Sequence, residues 1–237
     1  MKNKIIVTGH ASGIGYHLAN RFHDLGFSVT GIDKNISDEL NCEIEQVICD
    51  LSDEDSVTRI FSGLCGYTFA VNCAGVSGVR KKIVNLGKDD LINSWEEIFI
   101  PTFLSLREEI KMMNEMKSDT PCKIVNIASF TAMFGCKNML AYSAAKASIV
   151  NLTKVAAVEN SPGVLINSVS PATIDTPLIR KKYDGDLPDY SSTYLTGNCG
   201  SVEDVFLAVD MLLKNNFITG FDLVIDGGFS SNFEVRQ

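Results

Sequence analysis

The sequence predicts an α/β fold, a doubly wound parallel sheet in three αβα layers, forming a single domain over its 237 residues. Three observations carry this expectation. Short apolar strand runs alternate with helical stripes along the chain, a glycine-rich turn joins the first strand to the first helix, and no repeat or low-complexity linker interrupts the alternation. Repeated strand–helix–strand units set strands parallel, and such a sheet needs helices over both of its apolar faces.

The elements follow in order. Lys4-Ile5-Ile6-Val7 is a short apolar run ending at Gly9. Ile14, Leu18, Phe22 and Leu25 recur at spacings of four, four and three, which is one face of a helix. Gly26 stops it. Residues 27–32 form a second strand ending at Asp33, and 46–49 a third. Ser52 is placed to cap a helix whose inner face is Val57, Ile60, Phe61 and Leu64. Residues 69–71 form a fourth strand that enters Asn72-Cys73-Ala74-Gly75. A long helix is expected over about 89–116, with Ile110, Met112, Met113 and Met116 as core or interface and Trp95 and Phe99 as packing. Pro101 lies inside it and deprives the Glu97 carbonyl of its N–H partner, so a bend is expected. Strands at 123–127 and 164–169 flank a helix over about 142–159, and a helix at 202–213 precedes a last strand at 222–225. Residues 178–200, rich in Ser, Thr and Gly, are the least regular part. A long irregular stretch in a compact domain predicts a lid.

Composition excludes several classes. Apolar residues make up 45% and charged residues 21% of the chain, a globular balance with length enough for a core without staples. Lys and Arg number 21 against 29 Asp and Glu, a formal charge of −8, whereas phosphate backbones are bound by excess cations. Nucleic acid is therefore not an expected partner. The longest uncharged apolar stretch, near 98–106, is well short of the ~20 residues that span a bilayer. The basic Met1-Lys2-Asn3-Lys4 is followed by too short an apolar run for a secretory signal. Seven cysteines without a C-x-x-C pair read as reduced thiols of a cytoplasmic protein. His10, His17 and His23 lack the i, i+4 spacing of a helical metal pair, so no metal is expected. His10 is expected to be solvated in its loop.

The chemistry starts at Thr8-Gly9-His10-Ala11-Ser12-Gly13-Ile14-Gly15, between strand and helix. Glycines there let the backbone approach a pyrophosphate seated on the helix N-terminus. This makes Gly9, Ser12, Gly13, Ile14 and Gly15 candidate cofactor contacts. Asp33, about twenty residues beyond, is placed to hydrogen-bond a ribose 2′-hydroxyl. A 2′-phosphate would meet its negative charge, so NAD is favoured over NADP, with the neighbouring Lys34 weakening the preference.

The Gly-x-x-x-Gly-x-Gly spacing resembles the short-chain dehydrogenase/reductase family, and further segments agree in register from about residue 4 to 229. Asp50-Leu51 is similar to the family's acidic site beside the adenine. Asn72-Cys73-Ala74-Gly75 resembles its Asn-Asn-Ala-Gly strand end, with Cys73 in place of the second Asn. Ser129, Tyr142 and Lys146 match its catalytic Ser and Tyr-x-x-x-Lys. Residues 171–176 resemble its Pro-Gly segment with Ala172 in place of Gly, and Ile218-Thr219-Gly220 with Asp226-Gly227-Gly228 its C-terminal signature. The resemblance implies the single-domain Rossmann-fold branch. It adds Asp50, Leu51, Asn72, Ala74, Gly75, Pro171, Ile174 and Thr176, with Tyr142 and Lys146, to the cofactor contacts.

By the same resemblance Tyr142 is the general acid/base, Lys146 lowers its pKa and holds the nicotinamide ribose, and Ser129 hydrogen-bonds the substrate oxygen. A free Tyr titrates near ~10, so it needs a neighbouring ammonium and the positive nicotinamide to act near neutral pH. Tyr142 and Lys146 lie four apart, on one helical face. Thr102 stands seven residues after Trp95, where the family often has an Asn that holds a relay water, which puts the proton path in question. Phe130, Met133, Phe134 and Met139, with Tyr183 and Tyr190 on the lid, are candidate pocket residues, and Arg180, Lys181 and Lys182 suit an acidic substrate equally well.

The reading is an NAD(H)-dependent oxidoreductase of a small-molecule secondary alcohol or ketone, expected as a homodimer or homotetramer. An NADP(H)-dependent 3-ketoacyl-type reductase and a non-catalytic dinucleotide sensor remain alternatives. A sugar-nucleotide epimerase or dehydratase would need additional C-terminal length.

Overall fold

The structure, a computed structural model, describes residues 2–116 and 120–231. Seven strands form one all-parallel sheet in the order β3-β2-β1-β4-β5-β6-β7. They are β1 (Lys4–Thr8), β2 (Ser28–Asp33), β3 (Glu45–Ile48), β4 (Phe69–Asn72), β5 (Cys122–Ile127), β6 (Val164–Pro171) and β7 (Asp222–Ile225). The helices are α1 (Gly13–Asp24), α2 (Glu54–Phe61), α3 (Lys88–Asn114), α4 (Leu140–Asn160), α5 (Pro177–Lys182) and α6 (Val202–Lys214). The chain winds outward from β1 to β3, then returns to place β4 on the other side of β1. The reversal opens a crevice between the carboxyl ends of β1 and β4.

Strand alternation divides the core between the two faces. Ile5 and Val7 of β1, with Val71 and Val125, pack against Leu18, Phe22, Phe206 and Val209 of α1 and α6. Ile6, Ala70 and Ile124 face the other way, toward Val57, Phe61, Leu104, Met113 and Ala156 of α2, α3 and α4. Phe22 is fully buried, with its ring 5.3 Å from Phe206 and 5.4 Å from Phe27.

Several local expectations are revised. Leu25 ends α1 as its C-cap at 48% exposure, so the buried stripe stops at Phe22. Phe27 packs on Phe22 from just outside β2. The residue preceding α2 is Asp53, because Ser52 is drawn back into a turn in which its N–H and hydroxyl both donate to Asp50 Oδ1. The irregular 178–200 segment begins as a helix: Pro177 suits a first helical position and Thr176 caps α5 by accepting from Ile179 N–H at 3.4 Å. α3 continues as one helix through Pro101, and the buried Thr102 hydroxyl donates to Ile98 O at 3.3 Å.

Beneath the crevice lies a buried polar node joining β1, β4, β5, α3 and α4. Thr8 Oγ1 donates to Asn72 Oδ1 at 3.4 Å, and Asn72 Nδ2 donates to Glu109 Oε2 at 2.8 Å and Asn126 Oδ1 at 3.0 Å. Asn126 Nδ2 donates to Thr153 Oγ1 at 2.9 Å. Glu109 has no exposed surface, and its Oε1 finds no partner among the described residues. Burial raises its carboxyl from 4.5 to about 8 against the opposing Asn72 bond, so it is protonated at neutral pH. Between those two values the unfolded chain has released a proton that the folded chain keeps, so this group lowers stability as pH rises from about 4.5 to about 8. Glu109→Gln, which keeps an acceptor for Asn72, removes that loss. In urea unfolding the variant should exceed the wild type at pH 8 by on the order of a few kcal/mol, with the gap closing toward pH 5. A gap independent of pH would refute a protonated Glu109.

Candidate active site

The crevice is built from glycines that no other residue can replace. Gly9 has φ +74°, and a Cβ there would lie 2.7 Å from Ala74 N; one on Gly15 would lie 2.1 Å from Gly9 O. Thr8 Oγ1 accepts from Cys73 N–H at 3.1 Å and Ala74 N–H at 3.3 Å, which locks the β4 loop against the end of β1. Gly13, at φ +56°, opens toward Thr176, whose Cγ2 would be 3.8 Å from a Cβ added at position 13. Within the loop it is Gly13 that faces Thr176, at the end of the segment that carries Pro171 and Ile174. Exposed Ser12 precedes α1 in extended conformation and makes no side-chain cap bond, so its hydroxyl and the first N–H groups of α1 suit a phosphate.

Asp33 Oδ2 accepts from Ala11 N–H at 3.3 Å and Oδ1 from Asn35 N–H at 3.0 Å, which fixes the carboxylate at the end of β2. Cys49 N–H donates to Asp33 O at 2.8 Å and so brings Asp50 and the buried Leu51 to the neighbouring strand end. Hydrogen bonds from Ser52 hold the Asp50 carboxyl below its ordinary value. Ala74 and Gly75 line the crevice, with Gly75 close to Lys146 Nζ. Asn72 departs from its expected place: its amide is turned inward to Glu109 and Asn126, and it holds the strand end from below. His10 departs too. Its ring is fully buried over Gly31, and Nε2 lies 2.9 Å from Gln46 Oε1, so it is neither solvated nor open to a phosphate.

The structure brings Ser129, Tyr142 and Lys146 together beside this crevice. Ser129 follows β5, and its Oγ accepts from Thr131 N–H at 3.3 Å and from the Thr131 hydroxyl at 3.1 Å. Lys146 Nζ donates to Ile127 O at 2.8 Å and lies 6.0 Å from the Tyr142 ring centroid. Burial lowers the Lys146 ammonium from 10.5 to about 8, with Cys73 opposing. Burial also raises the Tyr142 hydroxyl, offset in part by its hydrogen bond with Ser129 and by the charge of Arg80. The expected lowering of Tyr142 by Lys146 is thus absent from the chain's own groups, because desolvation exceeds the nearby positive charge.

Beyond Ser129 and Tyr142, Phe130, Phe134, Tyr194 and Phe229 form an aromatic wall, with Phe229 5.5 Å from Phe130 and 6.2 Å from Tyr194. Gly227 and Gly228 let the 194–196 segment dock there, since a Cβ on Gly228 would lie 2.9 Å from Leu195 Cβ. A cavity of about 720 Å³ opens between residues 131–138 and 81–84. Of the residues expected in a pocket, Met133 and Phe134 line it, whereas Phe130, Met139, Tyr183 and Tyr190 do not, and neither do Ser129, Tyr142 and Lys146. Phe229 and the 81–84 wall were not expected, because both reach the cleft from segments distant in sequence. Among the described residues no His, Cys, Asp and Glu cluster could hold a metal, and no helix is long and apolar enough to cross a membrane.

Known proteins share this sequence pattern and this fold. The profile of a family described as enoyl-(acyl carrier protein) reductase matches residues 9–230. A 3beta-hydroxysteroid dehydrogenase of Mediterraneibacter gnavus is 31% identical over 191 residues, covering 75% of this chain and 68% of its own. The ligand-free aldohexose dehydrogenase of Thermoplasma acidophilum superposes with a TM-score of 0.90 at 27% identity, over 100% of this chain and 97% of its own. ElxO with NADP bound superposes at 0.88, also at 27% identity, over 98% and 100%.

The His10–Gly31 packing generates a direct test. A Cβ at position 31 would lie 2.4 Å from His10 Cγ, so Gly31→Ala should cost about 1–3 kcal/mol in urea unfolding. Combined with His10→Ala, the loss should be clearly smaller than the sum of the two single losses. Additive losses would show that the ring does not fill that space.

Proposed function

The chain belongs to the short-chain dehydrogenase/reductase family and is an oxidoreductase, and on that premise we propose that it interconverts a secondary alcohol and a ketone with NAD(H). The observation that carries the proposal is the convergence of Ser129, Tyr142 and Lys146 beside the β1–β4 crevice. The crevice suits a dinucleotide: Gly9, Ser12, Gly13, Ile14 and Gly15 cradle its pyrophosphate, Asp50 and Leu51 flank the adenine, and Lys146, Ala74 and Gly75 hold the nicotinamide end. The Asp33 carboxylate, fixed by two N–H donors, accepts from a ribose 2′-hydroxyl and repels a 2′-phosphate.

When bound, the nicotinamide donates or accepts the hydride, and its oxidised form adds positive charge beside Tyr142. The chain's part is to place and protonate. Ser129, oriented by Thr131, directs its hydroxyl to the substrate oxygen. Tyr142 gives that oxygen a proton in reduction and removes it in oxidation. Lys146, held by Ile127 O, keeps a positive charge on the cofactor side of the phenol, and the 183–200 segment covers the substrate as a lid.

Steady-state assays with NAD⁺ or NADH across alcohols, ketones, hydroxy acids and sugars test the reading. Turnover should appear with a secondary alcohol or ketone. Tyr142→Phe should lower kcat by about 10²–10⁴-fold while NADH affinity stays within about twofold. Near-normal turnover in that variant would overturn the assignment of Tyr142.

A further inference from the structure

His10, Gly31 and Gln46 meet at one point of the sheet. Gln46 stands beside Gly31 in the β2–β3 register, and paired residues present their side chains on the same face. The His10 ring fills the space that a side chain at position 31 would take. It therefore lies against the Gln46 amide, with Nε2 2.9 Å from Oε1. That same oxygen accepts from Ser37 N–H at 2.8 Å, and Gln46 Nε2 donates to Ser37 O at 3.1 Å. These two bonds to Ser37 fix which end of the amide is the oxygen. The atom facing His10 is an acceptor, so the ring carries its proton on Nε2 and donates it. His10 Nδ1 is buried without a partner among the described residues, and a proton there would be an unpaired buried donor.

Gln46 Oε1 thus joins the glycine loop to the segment that follows β2. Each of these carries a donor to Asp33. Ala11, next to His10, donates to Asp33 Oδ2 at 3.3 Å, and Asn35, two residues before Ser37, donates to Oδ1 at 3.0 Å. Asp33 itself lies two residues beyond Gly31, on the face of β2 that the His10 ring covers. His10 has no exposed surface, so it acts on a ligand only through its neighbours.

We propose that His10 and Gln46 are positioning residues that hold the Asp33 carboxylate toward the adenosine ribose, and through it set the preference for NADH over NADPH. The inference rests on the dinucleotide reading above. Without the bond to Gln46 the glycine loop and the 35–37 segment are no longer tied together. The two N–H groups that grip Asp33 then part, and the carboxylate turns to water. Exposed Lys34 beside it meets a 2′-phosphate with the opposing charge withdrawn.

The test is a titration of NADH and NADPH, followed by cofactor fluorescence, into the wild type and three variants. Gln46→Leu removes the shared acceptor, and His10→Phe keeps a ring over Gly31 without the N–H. In each, the ratio of the NADPH Kd to the NADH Kd should fall by about fivefold or more, the effect of one hydrogen bond. Turnover at saturating NADH should stay within about twofold of wild type, because only binding is altered. Tyr16→Phe removes the bond from the Tyr16 hydroxyl to Glu39 O, farther along the same segment, and should keep the wild-type ratio. A ratio unchanged in Gln46→Leu or in His10→Phe, or lowered equally in Tyr16→Phe, overturns the positioning role and leaves the oxidoreductase reading intact. Failure of the wild type to bind either cofactor counts against the dinucleotide reading, and the crystal structure of Gln46→Leu then decides the positioning role. Asp33 released from Ala11 N–H supports it, and both Asp33 bonds retained overturn it.

Discussion

The Thr8 hydroxyl bridges the two strands at which the winding of the sheet reverses. It donates to Asn72 and accepts from the N–H groups of Cys73 and Ala74, and so sets the end of β1 against the loop that leaves β4. The distance it imposes excludes any side chain at position 9. Each such hydrogen bond contributes only about 0.5–1.5 kcal/mol net, but a buried donor or acceptor left unpaired costs more. The node therefore selects one register of β1 on β4 more than it adds to total stability. The glycine loop, the Cys73–Gly75 edge and the Lys146 position all follow from that register.

The side chains proposed for catalysis are attached to the same frame. Lys146 donates to Ile127 O at the end of β5, and β5 pairs with β4 from Phe69↔Lys123 to Asn72↔Asn126. Asn126 in turn is fixed to Asn72 and Thr153, so the strand that presents Ser129 and the helix that presents Tyr142 meet at the node. Burial is the dominant electrostatic influence there: it lowers the Lys146 ammonium and raises the Tyr142 phenol.

Periodicity made most of the fold legible. Alternation along Ile5-Ile6-Val7 and the 3–4 spacing of Leu18 and Phe22 state directly which atoms leave water, and packing follows that instruction. The spacing of Tyr142 and Lys146 states a shared helical face in the same way. What escaped depends on partners remote in sequence or on local competition. Ser52 has a capping residue's chemistry, yet Asp50 captures its hydroxyl first. His10 is polar in a solvated-looking loop, yet the bare Gly31 opposite gives its ring a buried slot. Glu109 sits in a run of charged helix residues, and only the sheet above it reveals that it is buried. The 81–84 segment reaches the cavity, and Phe229 reaches the aromatic wall, through turns that no local pattern encodes.

The central claim is that the β1–β4 crevice holds a nicotinamide dinucleotide with Asp33 at the adenosine ribose. Fluorescence titration of the wild-type protein with NADH and with NADPH tests it most directly. NADH should bind saturably and about tenfold or more tightly than NADPH, the outcome of one close like-charge contact. Equal or tighter binding of NADPH would contradict the role given to Asp33, and failure to bind either would contradict the crevice itself.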